Sequence, residues 1–149
     1  MAHPLTIQIH ASCIETAGIG VLLRGPSGSG KSDLALRLIE AGARLVADDR
    51  TDLTLDSGVL VGSCPQTIAG RLEIRGLGIV ALANVGRTRV GLAVDLAAPA
   101  DIDRLPAARH CSYLGVELPL IAVAPFECSA VAKLRLAARE VALGRLVAA

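Results

Sequence analysis

Leu5-Thr6-Ile7-Gln8-Ile9-His10 alternates apolar and polar residues, the two-residue period of a strand with one wet face. Ile19 to Arg24 is more uniformly apolar and predicts a buried strand. Asp33-Leu34-Ala35-Leu36-Arg37-Leu38-Ile39-Glu40 is a good helical stretch; the helix predicted from about Lys31 stops at Gly42, a plausible residue for the turn past its end. Arg44 to Ala47 reads as a third strand and runs into Asp48-Asp49. Thr51–Asp56 and Val59–Gly62 read as a hairpin around Asp56-Ser57-Gly58. Arg71–Ile74 and Gly78–Ala83 flank a glycine-rich turn, Arg75-Gly76-Leu77-Gly78. Two more apolar strands are predicted at Arg89–Asp95 and Val116–Ala124, separated by a polar connection from Pro99 to His110 with a short helical turn. From Glu127 to about Leu143, Val131, Leu134, Ala138 and Val141 mark the apolar side of a second helix. The early strand–helix–strand order is α/β. The short strands after Asp49 do not alternate with helices as a doubly wound sheet demands, so a mixed sheet is expected.

Between the buried strand and the first helix stands Gly25-Pro26-Ser27-Gly28-Ser29-Gly30-Lys31-Ser32, a complete Gly-x-x-x-x-Gly-Lys-Ser phosphate loop. Its glycines let successive backbone N–H groups turn toward one point, where they can cradle phosphate oxygens. The helix start behind them adds partial positive charge. Lys31 can bridge the outer phosphates, and the Ser32 hydroxyl is placed to ligate Mg²⁺. A glycine-rich turn capping a helix is the bland alternative; the strand before and helix after favour nucleoside triphosphate binding.

Composition narrows the rest. The 149 residues suit a single domain spanning the chain, with net charge +1 and 52% apolar residues. Tyr113 and Phe126 are the aromatic residues, so the core must be aliphatic and stacking surface for single-stranded nucleic acid is missing. Near-neutral charge offers no general attraction to nucleic acid or anionic lipid. No apolar run approaches the roughly 20 residues of a membrane span. Met1 to Leu5 lacks the basic-then-apolar form of an export signal, and the expected location is the cytoplasm. Cys13, Cys64, Cys111 and Cys128 are scattered without a Cys-x-x-Cys pair and read as buried free thiols.

Phosphoryl transfer also needs a proton acceptor, a metal and positive charge over the transferred group. Asp48 and Asp49 end a strand near the phosphate loop, at the strand ends where ligands gather in α/β sheets. By strand alternation only one of the two should face the site squarely. Val90-Gly91-Leu92-Ala93-Val94-Asp95 is a rival, since an apolar strand ending in Asp is the usual metal-carboxylate segment of phosphate-loop enzymes. Glu73 is a lone charge in an apolar run, either catalytic or paired with Arg71 or Arg75. His10 closes an otherwise apolar strand, the pattern of a structural histidine as much as a catalytic one. His3 and His110 have no such context.

His10, Gly18–Ser32, Arg44–Asp49 and Leu-Glu-Ile-Arg-Gly-Leu-Gly-Ile at 72–79 together resemble the catalytic domain of the bacterial HPr kinase/phosphorylase family. The string Glu73-Ile-Arg-Gly-Leu-Gly-Ile79 is the most specific, and the similarity runs over about residues 5–85. The resemblance implies a phosphate-loop fold akin to phosphoenolpyruvate carboxykinase. It also implies an ATP- and Mg²⁺-dependent kinase acting on a serine of HPr, the phosphocarrier of the bacterial sugar phosphotransferase system. Family members can reverse the reaction by phosphorolysis and typically form hexamers. By resemblance Lys31 and Ser32 are the phosphate-loop lysine and Mg²⁺ ligand, Asp49 the general base with Asp48 beside it, and Glu73 a second metal-site carboxylate. His10 matches the active-site histidine, and Asp103-Arg104-Leu105 offers Arg104 for the catalytic arginine. Asp95 becomes a sheet residue on this reading.

Two departures bear on function. On this resemblance the chain is expected to be a catalytic domain standing alone without the family's N-terminal domain, as in short forms from some Gram-negative bacteria. Ala122-Val123-Ala124-Pro125-Phe126-Glu127 replaces the family's Pro-Val-Arg-Pro-Gly-Arg segment, removing two arginines. Kinase activity is therefore expected to exceed phosphorylase activity. A small-molecule kinase and a nucleotide-gated binding module are the alternatives; the scarcity of aromatic residues weighs against a pocket that stacks a planar metabolite.

Overall fold

The structure, a computed structural model, describes residues 5–146; His3 lies outside them. The strands are β1 (Thr6–Ile9), β2 (Ala11–Thr16), β3 (Ile19–Arg24), β4 (Arg44–Ala47), β5 (Thr51–Asp56), β6 (Val59–Ser63), β7 (Arg71–Ile74), β8 (Gly78–Ala81), β9 (Arg87–Leu96), β10 (Arg109–Tyr113) and β11 (Val116–Val123). Two helices, α1 (Lys31–Glu40) and α2 (Ala130–Ala142), complete the elements that position the site.

The expected mixed sheet is present. β3 lies between β2, antiparallel to it, and β9, parallel to it. β4 is antiparallel to β2 and therefore runs the same way as β3. β9 forks the sheet. Its first residues pair antiparallel with β6, which continues to β5 and β1, whereas Ala93–Leu96 pair parallel with β11. β3, β4, β9 and β11 thus all end at the same edge. The phosphate loop, Asp48-Asp49 and the loops after β9 and β11 are delivered there together.

The uniformly apolar character of β3 has its cause in this arrangement, since both faces of the strand are covered. Val21 and Leu23 pack with Leu34 and Leu38 of α1 and Leu134 and Ala138 of α2. Leu22 points the other way, into a second cluster with Cys13, Leu53, Leu60 and Leu118 under the β1–β5–β6 wing. Each fully buried leucine contributes about 1.5–3 kcal/mol.

Two strands escaped the sequence pattern. Ala11–Thr16 turns out of β1 at His10 and forms β2, buried along Ala11–Ile14. Its polar residues break the pattern because they are hydrogen-bonded rather than packed apolar: buried Ser12 bonds to Asp48 and Asp49, and Glu15 accepts from Thr88. β10 is the polar run Arg-His-Cys-Ser-Tyr, held by antiparallel pairing to β11 rather than by its own burial. The second helix also starts later than expected, at Ala130. Of the four cysteines only Cys13 is buried, Cys128 is exposed and all four are free thiols, which corrects the expectation of buried thiols throughout. No helix among the described residues is long and apolar enough to cross a membrane.

Candidate functional site

The phosphate loop leaves β3 at Gly25 and enters α1 at Lys31. Gly30, the residue capping α1, has φ 100°. A side chain there would be strained, and its Cβ would come within 2.9 Å of the Phe126 ring. The N–H groups of the first turn of α1 have no partners within the helix, and Lys31, Ser32 and Asp33 line a cleft of about 490 Å³. Lys31 is 5% exposed, so it is not on an open loop. Its ammonium donates to the carbonyls of Gly25 at 2.7 Å and Pro26 at 3.0 Å. The same Nζ stands 3.9 Å from Asp49 Oδ1.

Opposite the loop, both aspartates reach the cleft. This corrects the expectation that only one would face it. Asp49 has φ 65°, and the N–H of Arg50 donates to the carbonyl of Asp48 at 2.7 Å. A bond between residues two apart, with φ positive between them, closes a strained γ-turn that breaks strand alternation. Ser12 of β2 holds this turn: its hydroxyl accepts from the Asp49 N–H at 2.9 Å and donates to Asp48 Oδ1 at 3.1 Å. Ser32 also donates to Asp48 Oδ1, at 2.8 Å, and the Glu73 N–H donates to Asp48 Oδ2 at 3.1 Å. Asp49 is left with its carboxylate half exposed, hydrogen-bonded to His10 Nε2 at 2.6 Å.

The structure therefore brings together His10, Lys31, Ser32, Asp48, Asp49 and the backbone of Glu73. The Glu73 side chain stands on the exposed cleft wall, and Ser27, Gly28 and Gly30 line the same cleft. Pro26 and Ser29 face a second recess on the other side of the loop. Arg104 is not brought in: it is exposed in the segment before β10 and does not line the cleft.

Asp95 has a partner of its own. Arg24 donates to it from Nε at 2.7 Å and from Nη2 at 3.1 Å, and to the Tyr113 hydroxyl at 3.1 Å. Burial works against the Arg24 charge, yet these bonds outweigh it and hold the guanidinium more firmly protonated than usual. Asp95 braces β3 to β9 and does not line the cleft, an arrangement that favours the sheet-residue reading over the metal-carboxylate one.

Three contributors were missed. Ser12 sits on a strand that the pattern did not reveal, and no local signal marks it. Arg75 lines the cleft as part of the glycine-rich turn after β7. Phe126 lies over Gly30, 72% exposed although it is the chain's one phenylalanine. An exposed aromatic in an aliphatic chain is visible only once burial is known.

Residues 4–134 match the sequence family described as the HPr Serine kinase C-terminal domain. The HPr kinase/phosphorylase of Geobacillus sp. (strain WCH70) is 46% identical over 99 residues, covering 61% of this chain and 32% of that protein. That of Caldanaerobacter subterraneus subsp. tengcongensis is 38% identical over 129 residues, 78% of this chain and 42% of its own. The chain thus spans less than half the length of these curated relatives. The solved structure of the Hpr(Ser) kinase/phosphatase from Coxiella burnetii superposes with a TM-score of 0.82 at 30% identity, over 93% of this chain and 92% of that one.

Proposed function

This chain belongs to the HPr serine kinase C-terminal domain family, and from that premise we propose that it transfers the γ-phosphoryl group of ATP to a serine of an HPr-like phosphocarrier protein. The observation that carries the reading is the placement of Asp49 Oδ1, 2.6 Å from His10 Nε2 and 3.9 Å from Lys31 Nζ at the mouth of a phosphate-loop cleft. In the forward reaction the serine oxygen attacks the γ-phosphorus, its proton passes to Asp49, and the bond to the β-phosphate oxygen breaks to leave ADP. His10 fixes the rotamer of Asp49, and the γ-turn held by Ser12 aims it into the cleft. Lys31 draws the developing charge of the phosphoryl oxygens, and Arg75 is the other cation lining the cleft.

Ser32 Oγ and Asp48, with Glu73 on the wall, offer the hard oxygen donors that Mg²⁺ takes. Among the described residues no three His, Cys, Asp or Glu side chains gather into a cage, which suits an ion sharing its shell with phosphates and water. An Mg²⁺ ion held by these residues would supply charge neutralisation to the phosphates.

A protein acceptor is favoured by the β7–β8 hairpin. It carries Leu77 and Ile79, 74% and 70% exposed, next to the cleft-lining Glu73 and Arg75. Incubation of the chain with γ-labelled ATP, Mg²⁺ and an HPr-like protein tests the reading. Label on a serine of the phosphocarrier is expected; ATP binding without labelled protein refutes it.

A further inference from the structure

On the far side of the phosphate loop from Asp48 and Asp49 lies a second recess of about 530 Å³. Its walls are Leu96–Pro99 after β9 and Ala124–Glu127 after β11, with Pro26, Gly28 and Ser29 of the phosphate loop as the third side. Sheet order explains the position. Across the strands β11, β9, β3, β2 and β4, the loop after β3 separates the acidic pair at the end of β4 from the loops after β9 and β11. The cleft and the recess adjoin, since Gly28 and Phe126 line both.

A nucleoside triphosphate with its outer phosphate at Asp49 and its chain along the loop must carry its nucleoside away from the aspartates. The recess is what it meets there, and three features of the recess suit a base and a sugar. Phe126 presents an exposed ring on a fixed backbone: Pro125 is buried, and its carbonyl accepts from Arg37 of α1, itself braced by Asp33 at 3.0 Å. Leu96, Ala97, Ala98 and Pro99 form an apolar wall. The Ser29 hydroxyl, lying over Gly25, is buried without a hydrogen-bond partner among the described residues. Leaving such a group unpaired costs free energy, and a ligand hydroxyl or amine would relieve it.

We propose that this recess binds the nucleoside of the nucleotide, the Phe126 ring stacking on a purine base and the Ser29 hydroxyl hydrogen-bonding to the nucleoside. The proposal rests on the phosphate-loop reading of the previous subsection. Glu127, the charged side chain of the recess, is engaged with Lys133 at 2.9 Å, so stacking and shape do the selecting. One ring suffices for a single base where the backbone holds it at the phosphate loop.

The test is calorimetric titration, in Mg²⁺, of the wild type, Phe126→Ala, Phe126→Tyr and Ala98→Trp with ATP and, separately, inorganic tripolyphosphate. Phe126→Ala is expected to weaken ATP roughly 5- to 150-fold, the range for losing one stacked base. Tripolyphosphate affinity should stay within about twofold, and Phe126→Tyr should keep ATP affinity. Ala98→Trp fills the recess from the opposite wall, away from Gly30, and should also weaken ATP alone. Equal losses for ATP and tripolyphosphate in Phe126→Ala would make the ring a prop for Gly30 and overturn the proposal. Unchanged ATP affinity in both Phe126→Ala and Ala98→Trp would place the base elsewhere and overturn it too. A wild type that binds neither ligand would overturn the phosphate-loop reading beneath it.

Discussion

Replacing Asp49 by Asn and, separately, Asp95 by Asn separates catalysis from bracing. Asn at 49 keeps the shape and tolerates a positive φ, but it cannot take a proton. The side chain is 52% exposed, so stability should change by no more than about 0.5 kcal/mol. Transfer should fall roughly 10²–10⁴-fold, the usual contribution of a general base, which at 1.36 kcal/mol per tenfold raises the barrier by about 3–5 kcal/mol. Asp95→Asn reverses the pattern. It weakens two charged bonds to Arg24, in a pair whose side chains are 26% and 32% exposed. Bonds to charged groups contribute about 1.5–3 kcal/mol, with the lower end fitting this partial exposure. At about 2–4 °C per kcal/mol the melting temperature should drop by about 3–6 °C, with transfer by the folded protein nearly unchanged. Labelled transfer to HPr-like protein at 25 °C and thermal unfolding read the two quantities. An Asp95→Asn protein that is folded, binds ATP and is inactive would refute the assignment, as would Asp49→Asn retaining more than about a tenth of activity.

Lys31→Ala should abolish transfer and weaken ATP at least tenfold by calorimetry, with a small loss of melting temperature because the ammonium also ties the Gly25 and Pro26 carbonyls. Ser12→Ala removes both bonds that hold the γ-turn; a stability loss of about 1–3 kcal/mol in urea unfolding and at least a tenfold fall in kcat are expected. Burial pushes the Cys13 thiol from 9.0 up to about 12, with Glu15 adding to the rise. The neutral thiol is favoured by folding, so this contribution is complete below about pH 9 and is lost as pH rises toward 12. Unfolding free energies between pH 8 and 11 should fall less steeply in Cys13→Ala than in the wild type, and equal slopes would contradict the shift.

What could be read from the sequence was local. The phosphate loop is eight consecutive residues whose geometry follows from glycine positions, and the structure places it where a strand meets a helix. Asp48 and Asp49 were legible as a strand terminus. The γ-turn that lets both reach the cleft was not, since it depends on Ser12, which lies 37 residues from Asp49 in the chain. Asp95 shows the converse: its strand pattern permitted a metal role, and only Arg24, 71 residues away, reveals that the carboxylate is occupied. Arg104 carried a short-motif likeness, but the segment around it stays exposed and away from the cleft.

The fork at β9 has a consequence for the order in which this chain can acquire its site. His10, Lys31, Asp49 and Glu73 all precede residue 87, yet the strand carrying the phosphate loop has β9 as its parallel neighbour, and the β1–β5–β6 wing also hangs from β9. A nascent chain that has emerged only as far as residue 85 can pair β2 with β3 and β4 and bring the aspartates beside the phosphate loop. In it β3 lacks its parallel neighbour, and the recess walls after β9 and β11 are missing. Each pairing with β9 closes a long loop, which makes assembly slow and late. The recess beside the phosphate loop is therefore completed only after the second half of the chain has been made.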